Sequence, residues 1–399
     1  MRVVYQGSGG TFSVAIPEFR LAQEIERIRG SFVGFEERPR GTEVFRYRLP
    51  RGVIVVHGES KAARATNEWY EERALSALAR ELGTPFRHRV KLKDRAAETE
   101  VDGVSLDGGL MVEAKNARID QDWIDYYHSK AERLGFKRVV LLAREVDPES
   151  KPPPNVDVFV FHPDWEAPYK HYQSFNFPGW LRDAVPSRHF RFLLQSGGWL
   201  GAKRSLTRTA KHTPESKLRQ ILLNIHARSG LPVKVYYSMA RMVNPPAEYR
   251  GRGYPVPRLL AVLDIDPDPH QHVLDGRGFC QACLDLSRAR ADEAEAALAR
   301  MGYETRCVYS GRRGFHVYLI EEGAVMEVGL REFMGILEAV GNLTDSRTFK
   351  SKDQSFDQHR IIKVPNTIDA STGAVVDENA SRLPLNDRLE PFQPGIATE

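Results

Sequence analysis

Leu259-Leu260-Ala261-Val262-Leu263-Asp264-Ile265-Asp266 decides how the C-terminal half of this 399-residue chain is read. An apolar run of this length, ending in acids, predicts one buried strand over 259–265. Side chains on a strand alternate between faces, so Asp264 and Asp266 emerge on the same side. Two neighbouring carboxylates are costly to bury unless cations neutralise them, which makes the strand end a candidate Mg2+ or Mn2+ site. Asp-x-Asp after a strand also describes a solvated turn, so the surrounding sequence has to decide.

Working outward, strands are expected at 233–237, 305–309, 315–319 and 360–364, with helices at 284–301 and 330–340. Ser310-Gly311-Arg312-Arg313-Gly314-Phe315-His316 is a Gly-punctuated loop entering a strand, with cations, a hydroxyl and an imidazole able to face phosphate. Asp357-Gln358-His359-Arg360-Ile361-Ile362-Lys363-Val364-Pro365 adds a third carboxylate and two cations.

In order with Tyr236-Tyr237-Ser238, these segments resemble the catalytic small subunit of archaeal and eukaryal DNA primases over roughly residues 180–375. The resemblance implies a primase-polymerase fold in which Asp264, Asp266 and Asp357 hold two divalent ions. Ser310, Arg313, His316, Arg360 and Lys363 would grip an NTP or dNTP. The chain departs from that pattern at Lys363, where the family has arginine, and at Asp369, where it has histidine. Lysine offers a point charge in place of a bidentate fork.

Between the two motifs lie His270, His272, Cys280 and Cys283, a ligand set suited to tetrahedral Zn2+ and placed where the primase family carries a zinc knuckle. A structural or template-contacting role is expected. Cys307, inside an apolar strand, reads as a core residue.

The N-terminal half predicts short strands over residues 1–60, a helix over 67–81 with Asn67 as N-cap, a hairpin at 101–106 and 110–114, a helix over 121–134 and a strand at 139–143. Asp102 on one hairpin strand, with Glu113 and Lys115 on the other, resembles the PD-(D/E)xK nuclease pattern. That implies Mg2+ or Mn2+ on Asp102 and Glu113, with Lys115 activating the attacking water. Glu72 or Glu68 on the preceding helix is placed to add an acid. An alternating charged strand is also what a half-solvated sheet face looks like.

The expected fold class is therefore α/β (α+β). A nuclease-like domain is expected over 1–150 and a primase-polymerase domain over 151–383, with a zinc-binding insertion at 268–284 and a polar tail at 384–399. Pro152-Pro153-Pro154 reads as the junction. With 41% hydrophobic and 28% charged residues and no long apolar run, no membrane protein is expected. Three cysteines exclude a disulfide framework and fit a cytoplasmic setting. A net charge of +4 permits nucleic-acid binding without requiring it.

The expected function is DNA-dependent primase or polymerase activity fused to a metal-dependent nuclease, in replication, repair or a mobile element. The partners would be single-stranded template or DNA ends, and a replication or repair protein. The alternative is a non-synthesising primase-like module that delivers the nuclease to single strands or ends.

Overall fold

Alternating short strands and helices assemble into six sheets in the computed structural model. It describes residues 2–7, 10–15, 31–38, 42–49, 52–57, 61–94, 97–195, 199–201, 213–243, 254–267, 272–276, 278–344 and 361–395. The chain divides into two compact units, 1–68 with 196–198, and 69–195 with 199–399.

In the first unit, β1 (Arg2–Gly7), β2 (Gly10–Ala15), β3 (Ser31–Arg38), β4 (Thr42–Leu49) and β5 (Gly52–His57) form an antiparallel sheet in the order β2-β1-β5-β4-β3. All five lie within residues 1–60, the range read as short strands from the sequence.

Helix α1 (Lys61–Leu82) leads into the second unit. Asn67 lies inside this helix, six residues past its start, so the cap predicted there is corrected. Gly83 does end it, at φ +63°. Next come β6 (Phe86–Asp94), β7 (Ala97–Ser105), β8 (Leu110–Ile119), α2 (Gln121–Leu134), β9 (Arg138–Val146) and β10 (Val156–His162). Asp120 caps α2 by accepting the Trp123 N–H at 3.2 Å, and Gly135 closes it at φ +82°. Ile124, Tyr127 and Ala131, at helical spacing, are buried with Val139, Leu141 and Val101 of the sheet. Each such side chain contributes about 1.5–3 kcal/mol when fully buried.

The unit continues through α3 (Glu166–Gln173), β11 (Phe190–Leu193), β12 (Trp199–Gly201), α4 (Pro214–Ser229), β13 (Lys234–Ser238), β14 (Ala240–Val243), β15 (Tyr254–Leu260), β16 (Val262–Ile265) and β17 (Val273–Leu274). It ends with α5 (Gln281–Arg300), β18 (Glu304–Tyr309), β19 (Phe315–Glu321), β20 (Ala324–Val325), β21 (Glu327–Gly329), α6 (Leu330–Leu343), β22 (Ile361–Lys363), β23 (Ile368–Asp369), β24 (Ala374–Val375) and β25 (Arg388–Pro391).

A seven-stranded sheet runs β17-β6-β7-β8-β9-β10-β25, parallel only at β8/β9 and β9/β10. The prolines at 152–154 are a loop inside one compact unit, since β10 joins the sheet after them. Residues 388–391, read as tail, pair with β10 as the edge strand.

The deciding apolar run is also corrected: it is two strands in two sheets. β15 pairs with β14 and β21, whereas β16 pairs with β19. Ala261 is the hinge, its N–H donating to Met326 O and its carbonyl accepting from Leu319 N–H. The run is apolar throughout because Leu259 to Leu263 are all buried, with Leu260 to Leu263 in the core that also takes Val317, Leu319, Phe333 and Leu337. No helix among the described residues is long and apolar enough to cross a membrane.

Candidate active sites and metal centre

Strand β16 pairs with β19 so that Asp264 stands opposite His316 and Ile265 opposite Phe315. His316 Nε2 lies 3.5 Å from Asp264 Oδ1. Both acids of the strand end line a cavity of about 480 Å3, together with Ser310, His316 and the cations Arg312, Arg313 and Lys363. Four residues proposed from sequence for the nucleotide, Ser310, Arg313, His316 and Lys363, thus meet here with Asp264 and Asp266 around one cavity. Asp357 and Arg360 lie outside the described residues.

The loop between β18 and β19 is held from several sides. Ser310 N–H donates to Gly314 O at 2.9 Å, Ser287 Oγ donates to Arg313 O at 2.7 Å, and Tyr309 Oη donates to Arg312 O at 3.0 Å. Gly314 allows the closest approach: a Cβ there would collide with the Ile265 carbonyl and stand 2.6 Å from Asp266 Oδ1. Glycine is what lets the phosphate-type loop sit against the acidic strand.

The two departures from the primase pattern face each other. Lys363 Nζ donates to Asp369 Oδ2 at 2.6 Å and to Ser310 O at 2.7 Å. Asp369 has no exposed surface and also accepts the Ser371 N–H at 3.0 Å. Burial opposes its charge, but Lys363 and Lys234 outweigh burial and hold its carboxyl at about 2. A carboxyl depressed in the folded state stabilises above its unfolded value near 3.8, and that contribution disappears as pH falls through about 2. Asp369→Asn, which leaves two buried lysines without their counter-charge, is expected to cost about 3–5 kcal/mol in chemical denaturation at pH 7.

Lys234 was missed in the sequence, although it shares a strand face with Tyr236, and both line the cavity. Burial pulls its ammonium down to about 8, against the pull of Asp369 in the other direction. One cavity cation is therefore lost as pH rises through 8. Affinity for a nucleoside triphosphate is expected to fall several-fold between pH 7 and pH 9, and Lys234→Arg, which stays charged, is expected to flatten that profile in calorimetric titrations.

Beside the cavity, at the mouth of α5, His272 Nδ1 lies 3.1 Å from Cys283 Sγ, and ligand atoms of His272, Cys280 and Cys283 fall within 4.8 Å of one another. Cys280 is held down at about 2, chiefly by the Cys283 thiol and then by His272, while Cys283 is pushed up. A thiolate, a second thiol and an imidazole converging in this way fit Zn2+ by donor chemistry. His270, proposed as the fourth ligand, lies outside the described residues. Cys307 is partly buried, with Arg288 Nη1 at 3.3 Å from its sulfur, and is not among the converging ligands.

The second acidic site sits where β7 meets β8. Asp102 Oδ2 accepts from Ala114 N–H at 2.8 Å and from Lys115 Nζ at 2.9 Å, and Lys115 Nζ lies 3.0 Å from Glu113 Oε2. The three residues picked from sequence are thus in direct contact. Burial raises Glu113 to about 7, since the Asp102 charge adds to the desolvation that the lysines only partly offset. For Asp102, burial is outweighed by Lys115 and the Ala114 N–H, and the net direction is down. The two buried carboxylates offer hard oxygen donors of the kind Mg2+ and Mn2+ take.

Sequence reading missed Lys130 of α2, which donates to Glu113 Oε1 and to Glu100 O, each at 2.7 Å. Its three-residue spacing from Tyr127, on the face of α2 that is buried, was the available signal. The helix acid is corrected as well: Glu72 is turned towards Arg312 and Arg313, while Glu71 adds its charge at Lys115. Glu68 belongs to the first compact unit.

No family model matches the chain. In sequence it is 26% identical over 245 residues to the DNA primase small subunit PriS of Pyrobaculum calidifontis, covering 52% of this chain and 73% of that protein. The PriS of Pyrobaculum aerophilum is 27% identical over 242 residues, 50% of this chain and 73% of that protein. Among solved structures, the polymerase domain of Mycobacterium tuberculosis ligase D in complex with DNA aligns over 53% of this chain and 78% of its own at 17% identity, with a TM-score of 0.31. A repair endonuclease from Pyrococcus abyssi aligns over 37% of this chain and 76% of its own at 16% identity, with a TM-score of 0.16. Those two superpositions are too loose to build on. Over half its length, then, the chain is similar in sequence to archaeal primase small subunits.

Proposed function

We propose that this chain is a DNA-dependent primase-polymerase that transfers nucleotides from an NTP or dNTP to a 3′-hydroxyl, joined to a metal-dependent nuclease. The observation that carries the polymerase part is the cavity in which Asp264 and Asp266 face Ser310, Arg313, His316 and Lys363. Adjacent acids beside fixed cations are the charge distribution that a cation-bound triphosphate requires. Similarity to archaeal primase small subunits supports the same reading.

Asp264 and Asp266, with Asp357 as the third acid, would hold Mg2+ or Mn2+. When bound, such ions supply a lowered pKa at the attacking hydroxyl and neutralise the departing pyrophosphate. His316, 3.5 Å from Asp264, orients that carboxylate. Ser310, Arg313 and Lys363, with Arg360, bind and align the phosphates. His272, Cys280 and Cys283 would hold Zn2+ beside the template path.

The nuclease part, expected over 1–150, rests on the contact of Asp102, Glu113 and Lys115 in the seven-stranded sheet, which also takes β10, β17 and β25 from beyond that boundary. The primase-polymerase part remains assigned to 151–383. In this reading the protein acts on single-stranded DNA or DNA ends in the cytoplasm, in replication, repair or a mobile element. Nucleotide incorporation on single-stranded DNA with Mg2+ or Mn2+, with and without a primer, tests it. Absence of incorporation under every condition would favour the module that delivers the nuclease without synthesis.

A further inference from the structure

Helix α1 carries two consecutive carboxylates that serve different neighbours. Glu71 Oε2 accepts from Arg89 Nη2 at 2.9 Å and Nε at 3.2 Å, on the side of the Asp102 site. Arg89 reaches it from within β6 with φ +52°, a conformation that costs energy for a side-chain-bearing residue. Glu72 accepts from Arg312 Nε at 2.8 Å, from Arg312 Nη2, and from Arg313 Nη2 at 2.9 Å. The ring of His88 lies between the two acids, with Nε2 3.8 Å from Glu71 and Nδ1 3.9 Å from Glu72.

Glu72 is only 2% exposed, and its partners lie 240 residues away in sequence, on the loop that borders the cavity. Burial works against its charge, but Arg312 and Arg313 overcome that and keep the carboxyl well below its ordinary range. Two adjacent arginines repel each other and each has many rotamers. A single buried carboxylate between them removes the repulsion, and the two-point contact with Arg312 fixes orientation as well as distance. Arg313 spends one nitrogen on Glu72 and still lines the cavity.

We propose that Glu72 is a positioning residue for triphosphate recognition, holding Arg312 and Arg313 at the cavity edge from the helix that also borders the nuclease-like site. This rests on the polymerase-type reading of the cavity and adds to it that the phosphate grip depends on a residue from the N-terminal half. The nucleotide pocket is then a composite of both halves of the chain.

The test is calorimetric binding of dATP and of ATP, each with Mg2+, to the full chain and to its Glu72→Gln, Arg312→Gln and double variants. Steady-state kinetics and thermal melting accompany it. Glu72→Gln is expected to weaken triphosphate binding about tenfold or more, raise KM far more than it lowers kcat, and leave primer-template affinity unchanged. The double variant is expected to be no worse than the poorer single one, because the two side chains act as one unit. A lowered melting temperature with unaltered triphosphate binding, or tighter binding, would overturn the proposal and leave the cavity reading intact. A wild type that binds neither nucleotide would overturn both. Should Glu72→Gln not fold, Glu72→Asp, which keeps the charge but shortens the reach, carries the same test with weakened binding expected and unchanged binding overturning it.

Discussion

Replacing Asp264 and Asp266 together by alanine is expected to reduce nucleotide incorporation by on the order of 10³-fold, the scale on which removing preorganised electrostatic stabilisation acts. Asp264 is partly exposed and Asp266 is exposed, both at the cavity wall, so neither carries a buried packing role that alanine would destroy. The melting temperature should stay within a few degrees of wild type. Triphosphate binding measured without divalent ions should survive as well, because the cations Arg312, Arg313 and Lys363 that also line the cavity are untouched. If incorporation persists at wild-type rate in the double variant, the acids are not the metal-holding pair and the polymerase reading fails. If the wild type itself incorporates nothing, the cavity is a binding site without synthesis.

The sequence exposed the chemistry of this cavity better than the backbone that carries it. Asp264, Asp266, Ser310, Arg313 and His316 could be picked out because strand alternation and glycine-marked turns are local properties. The break at Ala261 could not, because an apolar run looks the same whether it lies in one sheet or crosses between two. What bends it is the pair of main-chain hydrogen bonds to Met326 and Leu319, more than fifty residues away. For the same reason β25 read as a tail: Arg388-Leu389-Glu390-Pro391 has little strand character and pairs because β10 offers an open edge. Helix α2 came out with both ends right, since its caps Asp120 and Gly135 are written in the sequence itself.

Charged residues show the same division. Lys363 and Asp369 were each visible as departures from the primase pattern, but only their 2.6 Å contact makes them a pair. A cation without a bidentate fork is here tied to a buried acid, with Lys234 3.8 Å from the same oxygen. Glu72, with Glu68 as the alternative, reads from the sequence as the acid that the preceding helix adds to the Asp102 site, yet helical geometry turns neighbouring residues about 100° apart, and that rotation sends Glu72 to Arg312 while Glu71 serves the other side.

Asp102→Asn is expected to lower divalent-ion-dependent DNA cleavage by at least about 10²-fold while leaving the fold intact. The amide oxygen can still accept the Ala114 N–H that Asp102 Oδ2 now takes at 2.8 Å, and Lys115 keeps Glu113 at 3.0 Å as its counter-ion. What disappears is one of two anionic donors, and with it the charge that a divalent ion needs. Glu113 should respond too. Its carboxyl is raised to about 7 by burial first and by the Asp102 charge second, so removing that charge lets it ionise at lower pH. A folded-state carboxyl raised above its unfolded value is destabilising at neutral pH and above, and the penalty vanishes as pH falls below the unfolded value near 4.3. Asp102 itself is, against burial, held below the ordinary carboxylate range by Lys115 and the Ala114 N–H, so its charge stabilises at neutral pH, and relief of Glu113 offsets only part of that loss. Asp102→Asn is therefore expected to be somewhat less stable than wild type at pH 8, with the difference closing as pH falls below the unfolded aspartate value near 3.9. Cleavage assays on single-stranded and duplex DNA with Mn2+, paired with melting curves across that range, separate a catalytic carboxylate from a structural one. Loss of cleavage in a variant that still melts cooperatively supports the nuclease assignment, whereas equal cleavage by both proteins removes Asp102 from it.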